Sequence, residues 1–276
     1  MTERPDGLLK WIGSKQRSAA AIAALLPSGG TYWEPFLGGA AVLGTLRPPR
    51  AVASDVLAPL VALWQAVQGR PDEVALWYAE RWHAAEADKR GTYLAVRAAY
   101  NAQPNPADLL FLARACYGGV IRFRADGGMN TPCGAHRPIA PVDFEVRLRD
   151  WHQRVRNVRF EHADFADTMA QAKSGDVVYC DPPYVDSQRQ LYGAHGFSLA
   201  RLFTAIAEAR DRGVRVALSI DGWKRSGAHD CAVVVPDGLF ASSHVLPLGR
   251  SMLRRFQMGG QTLEREQVSD RLLCTW

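Results

Sequence analysis

Short apolar runs alternate with helix-forming stretches along most of this 276-residue chain, a pattern that leaves little besides an α/β sheet covered by helices. Strands are predicted over residues 31–34, 51–54, 158–161, 176–180, 214–220, 243–246 and 271–276. Helices are predicted over 14–26 behind a capping serine, from 41 onward, and over 199–212 as a crossover. The alternation stops in the middle. Residues 71–87, 92–101 and 106–116 read as consecutive helices, the last with Asn105 as cap and Pro106 in the first helical position. A loop rich in Gly, Arg and Pro follows over 117–141. Then comes a basic helix over 144–157 carrying Arg147, Arg149, Arg154 and Arg156. The division that results is an α/β unit of residues 1–70 and 158–276, interrupted by a helical insertion of residues 71–157.

Hydrophobic residues make up 47% of the chain, enough for a real core. No apolar run approaches the length of a bilayer span, and the mixed-charge start over residues 1–10 lacks the apolar stretch of a secretory signal. A soluble, cytoplasmic protein is expected. Cys116, Cys133, Cys180, Cys231 and Cys274 are scattered, with no C-x-x-C pair, so neither a disulfide framework nor a metal site is expected. The formal charge is +5, and only Lys10, Lys15, Lys89, Lys173 and Lys224 are lysines. The cationic excess is therefore mainly guanidinium, whose planar fork suits phosphates and base edges. That is compatible with a polyanionic partner without requiring one.

Four short segments carry chemistry. The first is Val177-Val178-Tyr179-Cys180-Asp181-Pro182-Pro183-Tyr184, a hydrophobic strand that empties into a Pro-Pro turn between a carboxylate and an aromatic ring. An exocyclic amine conjugated with its ring is a poor nucleophile. A carboxylate and a backbone carbonyl that accept both its hydrogens draw the lone pair out of conjugation. Prolines hold such a carbonyl rigidly, and a neighbouring aromatic can stack on an extruded base. An ordinary strand-ending turn also opens with Asp-Pro, so this segment alone decides nothing. The second is Glu34-Pro35-Phe36-Leu37-Gly38-Gly39-Ala40, a glycine turn between strand and helix, where backbone can approach a ligand closely and a helix start favours a carboxylate. Asp55, at the end of the next strand, is placed to accept ribose hydroxyls. The third is Lys10-Trp11-Ile12-Gly13-Ser14-Lys15, a loop leading into a helix. The fourth is Asp164-Phe165, either a helix cap with a core ring or a carboxylate and ring bracketing an adenine.

In this order the four segments resemble the Dam-like (D12 class) N6-adenine DNA methyltransferases, in which the cofactor motif precedes the catalytic motif and a target-recognition insertion lies between. The resemblance extends to Arg122-Phe123-Arg124 with Met129-Asn130-Thr131-Pro132-Cys133-Gly134, similar to the family's recognition hairpin, and to His195-Gly196-Phe197-Ser198 and Ala217-Leu218-Ser219-Ile220-Asp221. It implies a Rossmann-like sheet that uses S-adenosylmethionine, with Trp11, Lys15, Glu34, Phe36, Gly38, Gly39, Asp55, Asp164 and Phe165 lining the cofactor site. Asp181 would lie between cofactor and target amine, with the Pro182 carbonyl, Pro183 and Tyr184 completing the catalytic loop. Lys15 could serve either the cofactor or the base. Arg122, Arg124 and Asn130 would contact double-stranded DNA, and arginines of the insertion with Arg250, Arg254 and Arg255 would meet phosphates.

The chain departs from the family at Ala40, which replaces a third glycine. It departs also at Tyr117-Gly118-Gly119-Val120-Ile121, which is shorter than the family's stretch, and at Arg124, which replaces an asparagine. The resemblance therefore does not carry over GATC as the recognition sequence. Competing readings are N4-cytosine methylation, methylation of RNA or protein, and a catalytically silent DNA-binding protein. A cognate restriction endonuclease is a candidate partner, and a monomer is expected because an asymmetric reader needs no dimer.

Overall fold

The computed structural model describes residues 4–11, 13–124, 126–183, 197–221, 233–250 and 267–276. Seven strands form one sheet: β1 (Tyr32–Glu34), β2 (Ala51–Asp55), β3 (Val158–His162), β4 (Val177–Cys180), β5 (Arg215–Asp221), β6 (Ser242–Arg250) and β7 (Gln267–Cys274). Their spatial order is β3-β2-β1-β4-β5-β7-β6. The first five are parallel, whereas β7 runs antiparallel between β5 and β6.

Both faces of the sheet are covered, so the strands read as continuous apolar runs whose side chains part by alternation. Tyr32, Ala51, Ala53, Val177 and Tyr179 point into one core, and Trp33, Val52, Val178 and Cys180 into the other. The first core takes α1 (Ala19–Leu25), α2 (Ala41–Leu46) and α3 (Ala58–Gly69); the second takes α8 (Phe165–Ala170) and α9 (Leu199–Asp211).

The insertion supplies α4 (Pro71–Ala87), α5 (Lys89–Ala102), α6 (Pro106–Ala115) and α7 (Pro141–Arg154). It packs on α3 through α4, α6 and α7, and its buried side chains continue the first core: Trp64 of α3 meets Trp151 of α7 with ring centroids 5.0 Å apart, and Tyr78 of α4 stacks on Phe144 at 4.0 Å.

Local differences from the predicted elements have identifiable causes. The helix expected over 14–26 begins as a 3-10 turn, Lys15–Arg17, because the Ser18 amide bonds the Lys15 carbonyl at 3.0 Å in an i to i+3 pattern. Ser14 makes no side-chain cap. Asp88 caps α5 by accepting from the Gly91 amide at 2.8 Å, which starts that helix three residues early. Pro141 opens α7 in the first turn, ahead of the expected start at 144. The helix α3 was not anticipated. Its apolar residues surround it on several sides, so the one-face periodicity that signals a surface helix is blurred.

Candidate active site

In the doubly wound arrangement the chain leaves β1 toward β2 on one side and β4 toward β5 on the other. The crevice at the carboxyl ends of β1 and β4 is thus the topological switch point. A cavity of about 310 Å³ opens there, and the segments expected to carry chemistry meet in it.

The turn after β1 forms its floor. Gly38 has φ +45°, and a Cβ there would lie 3.1 Å from Trp11 Nε1, so glycine is favoured by both backbone and neighbour. Ala40 also takes a left-handed conformation, φ +54°, at the position where the family has glycine. Asp55 braces the turn: its Oδ2 accepts from the Gly38 amide at 3.2 Å and its Oδ1 from the Leu57 amide at 3.0 Å. Burial raises its carboxyl, against those amide bonds. The expectation for Asp55 was ligand contact; it lines the cavity and organises the turn as well.

An aromatic slot makes one wall. Phe36 stacks on Phe165 at 5.3 Å, and Phe197 meets both edge-on at 5.9 Å. Asp164 caps α8 through the Ala166 amide at 2.9 Å, as the first reading of Asp164-Phe165 expects, and both residues also line the cavity. Arg201 of α9 pairs with Asp164 Oδ1 at 3.0 Å and lies over the Phe165 ring at 5.1 Å. Sequence reading missed Arg201. It is one basic residue on an ordinary crossover helix, and only packing brings it to the cavity.

The opposite wall is charged. Lys15 Nζ donates to Asp181 Oδ1 at 2.7 Å and stands 3.6 Å from Asp270 Oδ2 and 3.3 Å from the Gly13 carbonyl. The Lys15 ammonium therefore lies at the Asp-Pro-Pro loop. Glu34 is buried, accepts from the Tyr32 hydroxyl, and has its carboxyl raised to about 8 by burial, which outweighs that bond, with the charge of Asp181 adding to the rise. Pro182 and Pro183 line the cavity beside Asp181. Cys180 points away from it, 4.0 Å from the Met169 sulfur; burial raises its thiol, and it packs as a small apolar residue. Tyr184, His195, Gly196, Arg254 and Arg255 lie outside the described residues.

Away from the cavity, α6 runs into an irregular hairpin whose backbone pairs antiparallel at Cys116 with Cys133, both free thiols, and at Phe123 with Met129. Arg122 Nε donates to Asn130 Oδ1 at 2.8 Å, and Arg124 pairs with Asp126 at 3.1 Å. Phe123 and Met129 are buried while Arg122 and Arg124 are exposed. The arginines of α7 behave otherwise. Arg154 is buried, held by Asp150 at 2.8 Å and the Gly44 carbonyl at 3.0 Å. Arg149 pairs with Asp72 and Glu145, and Arg147 with Asp6. Their helical spacing serves intramolecular pairing, which corrects the expectation of phosphate contact for Arg154 outright.

A doubly wound sheet with a glycine turn after its first strand, and a carboxylate before a Pro-Pro turn after its fourth, is the arrangement that the resemblance to the methyltransferases implies. The chain belongs to the D12 class N6 adenine-specific DNA methyltransferase family, which it matches over residues 11–227, and it is an adenine-specific DNA methyltransferase. It is 29% identical over 229 residues to a DNA adenine methylase of Vibrio cholerae serotype O1, covering 79% of this chain and 82% of that one. It is 29% identical over 255 residues to a DNA adenine methylase of Salmonella typhi, 88% of each chain. To a DNA adenine methylase of Escherichia coli K12 it is 32% identical over 180 residues, 64% of each. No helix among the described residues is long and apolar enough to cross a membrane.

Proposed function

We propose that the chain transfers a methyl group from S-adenosylmethionine to the N6 amine of an adenine turned out of duplex DNA, with Asp181 as the residue that binds that amine. The observation that carries this reading is the cavity itself: the Asp181 carboxylate borders the same space as the glycine turn and the aromatic slot.

The residues present fit such a donor. The slot of Phe36, Phe165 and Phe197 suits a flat heterocycle, with the Asp164 carboxylate at its edge to accept an amine hydrogen. The Asp55 oxygens retain lone pairs for ribose hydroxyls beyond their two amide bonds. At Gly38, a side chain would fill the space under Trp11. When bound, the donor supplies an electrophilic methyl on a cationic sulfur.

The chain's own residues then act on the amine. Asp181 and the Pro182 carbonyl accept its two hydrogens and turn its lone pair toward the cavity. The prolines keep that carbonyl from drifting. Lys15, within 4 Å of the Asp181 and Asp270 carboxylates, holds Asp181 in place. Tyr184 stacks on the extruded base, and Arg122, Arg124 and Asn130 read duplex DNA from the hairpin. Extrusion costs a few kcal/mol, which cationic contacts to phosphate offset. On this reading residues 71–157 form the recognition unit, residues 1–70 and 158–276 form the catalytic one, and the protein works in the cytoplasm as a monomer. A cognate endonuclease, where one is encoded alongside, would cut the unmethylated form of the same site.

The test is long-read modification mapping of plasmid DNA from a methylation-deficient host that expresses the chain, beside its Asp181→Ala variant. N6-methyladenine at one recurrent motif with the parent, and none with the variant, is the expected result. Methylation that survives Asp181→Ala would remove Asp181 from the site.

A further inference from the structure

Asp270 lies beyond residues 11–227, the stretch that matches the family. It lies on β7, the strand inserted antiparallel between β5 and β6, paired across the sheet with Asp221 and Leu246. Its side chain is 5% exposed, opposite buried Leu246 on β6 and on the same face as buried Leu272. A carboxylate in such surroundings is costly, and burial raises its proton affinity while the Lys15 ammonium opposes the rise. What offsets that cost is Lys15, whose ammonium, 4% exposed, lies 2.7 Å from Asp181 Oδ1 and 3.6 Å from Asp270 Oδ2.

We propose that Asp270 is a positioning residue for methyl transfer: it holds the Lys15 ammonium from behind, so that Lys15 can fix Asp181 without cancelling its negative charge. With Asp181 alone, the ammonium would form a neutral pair with the carboxylate that must bind the amine. With Asp270 added, the ammonium is shared between two carboxyl groups, 2.7 and 3.6 Å away, so less of its charge falls on Asp181. As the amine nitrogen bonds to the methyl carbon, the bond from that carbon to sulfur breaks and positive charge passes from sulfur to nitrogen. The nitrogen then sheds one proton to solvent. An uncancelled carboxylate at the amine therefore lowers the barrier to the transfer. Glu34, whose carboxyl holds its proton up to about pH 8, adds no charge at neutral pH.

This rests on placing the transfer at Asp181, and the experiment separates the two. Single-turnover transfer of tritiated methyl is measured for the parent, Asp181→Ala, Asp270→Asn, Lys15→Met and the Lys15→Met/Asp270→Asn pair, with donor and DNA affinities measured separately. Asp270→Ser accompanies Asp270→Asn, and whichever keeps a cooperative melt is read. The expected result is a loss of about tenfold in the transfer rate for the Asp270 variant, with both affinities within about twofold of the parent. In the Lys15→Met background the same substitution should cost nothing further, because its effect runs through Lys15. A parent-like rate in the folded Asp270 variant overturns the proposal. So does a loss that multiplies undiminished in the Lys15→Met background. An active Asp181→Ala would instead overturn the placement of the site.

Discussion

Phe36 and Phe165 stack with centroids 5.3 Å apart and planes inclined by 23°, one supplied by the turn after β1 and the other by the first residue of α8. This contact joins the two halves of the chain on either side of the insertion and builds one wall of the cavity. Phe165 is buried in the second core, whereas Phe36 is only partly buried and packs against that core.

Phe36→Ala therefore tests the slot. Aromatic pairing is worth about 0.5–1.5 kcal/mol beyond burial, so donor affinity should fall about tenfold, and loss of the Phe36–Phe165 contact should lower the melting temperature by a few degrees. Isothermal titration with S-adenosylmethionine reads the first and a thermal melt the second. Unchanged affinity would place the heterocycle elsewhere.

Glu34 ties stability to pH. Its carboxyl is raised from 4.5 to about 8 by burial, so the folded chain binds that proton more tightly than the unfolded chain. The stability this contributes is complete below about pH 4.5 and is lost as pH rises through about 8. Glu34→Gln cannot ionise and still offers the Tyr32 hydroxyl an acceptor. Its urea midpoint should therefore gain on the parent's between about pH 5 and pH 9. Parallel curves would mean that Glu34 ionises normally in the fold.

Gly44 sits inside α2 against α7. A Cβ there would lie 2.5 Å from Trp151 Cη2 and Cζ3, and Trp151 is fully buried with its indole nitrogen bonded to the Asp6 carbonyl at 2.7 Å. The ring has nowhere to retreat. Gly44→Ala should cost about 1–3 kcal/mol of stability through overpacking, read as a lower urea midpoint with an unchanged slope.

Arg122 and Arg154 should part company in DNA binding. Arg122 is exposed on the hairpin beside Asn130, so Arg122→Ala should relax or abolish site preference and leave donor affinity intact. Arg154 is buried between α7 and α2, so Arg154→Ala should destabilise the fold by about 1–3 kcal/mol while the salt dependence of DNA binding is kept. Fluorescence anisotropy across a salt series, with a chemical melt of each variant, checks both. A reduced salt slope for Arg154→Ala would contradict its interior role.

Much of the site was legible because its signals are local. A strand emptying into Pro182-Pro183, a glycine turn at Gly38-Gly39 and a carboxylate at Asp55 each announce themselves within a few residues, since φ restriction and strand alternation act over that range. The helices from 71 to 116 were legible for the same reason. Sequence alone thus determined the α/β class, the order of the motifs and the family. The tertiary structure alone decided which charges meet. Lys15 finds Asp181 and Asp270 through the ordering of β4, β5 and β7; Arg201 reaches Asp164 through the crossover of α9; and Arg154 turns inward because α7 packs on α2 and α3. Each of these pairings depends on distances between residues far apart in the chain, and no local pattern encodes such a distance.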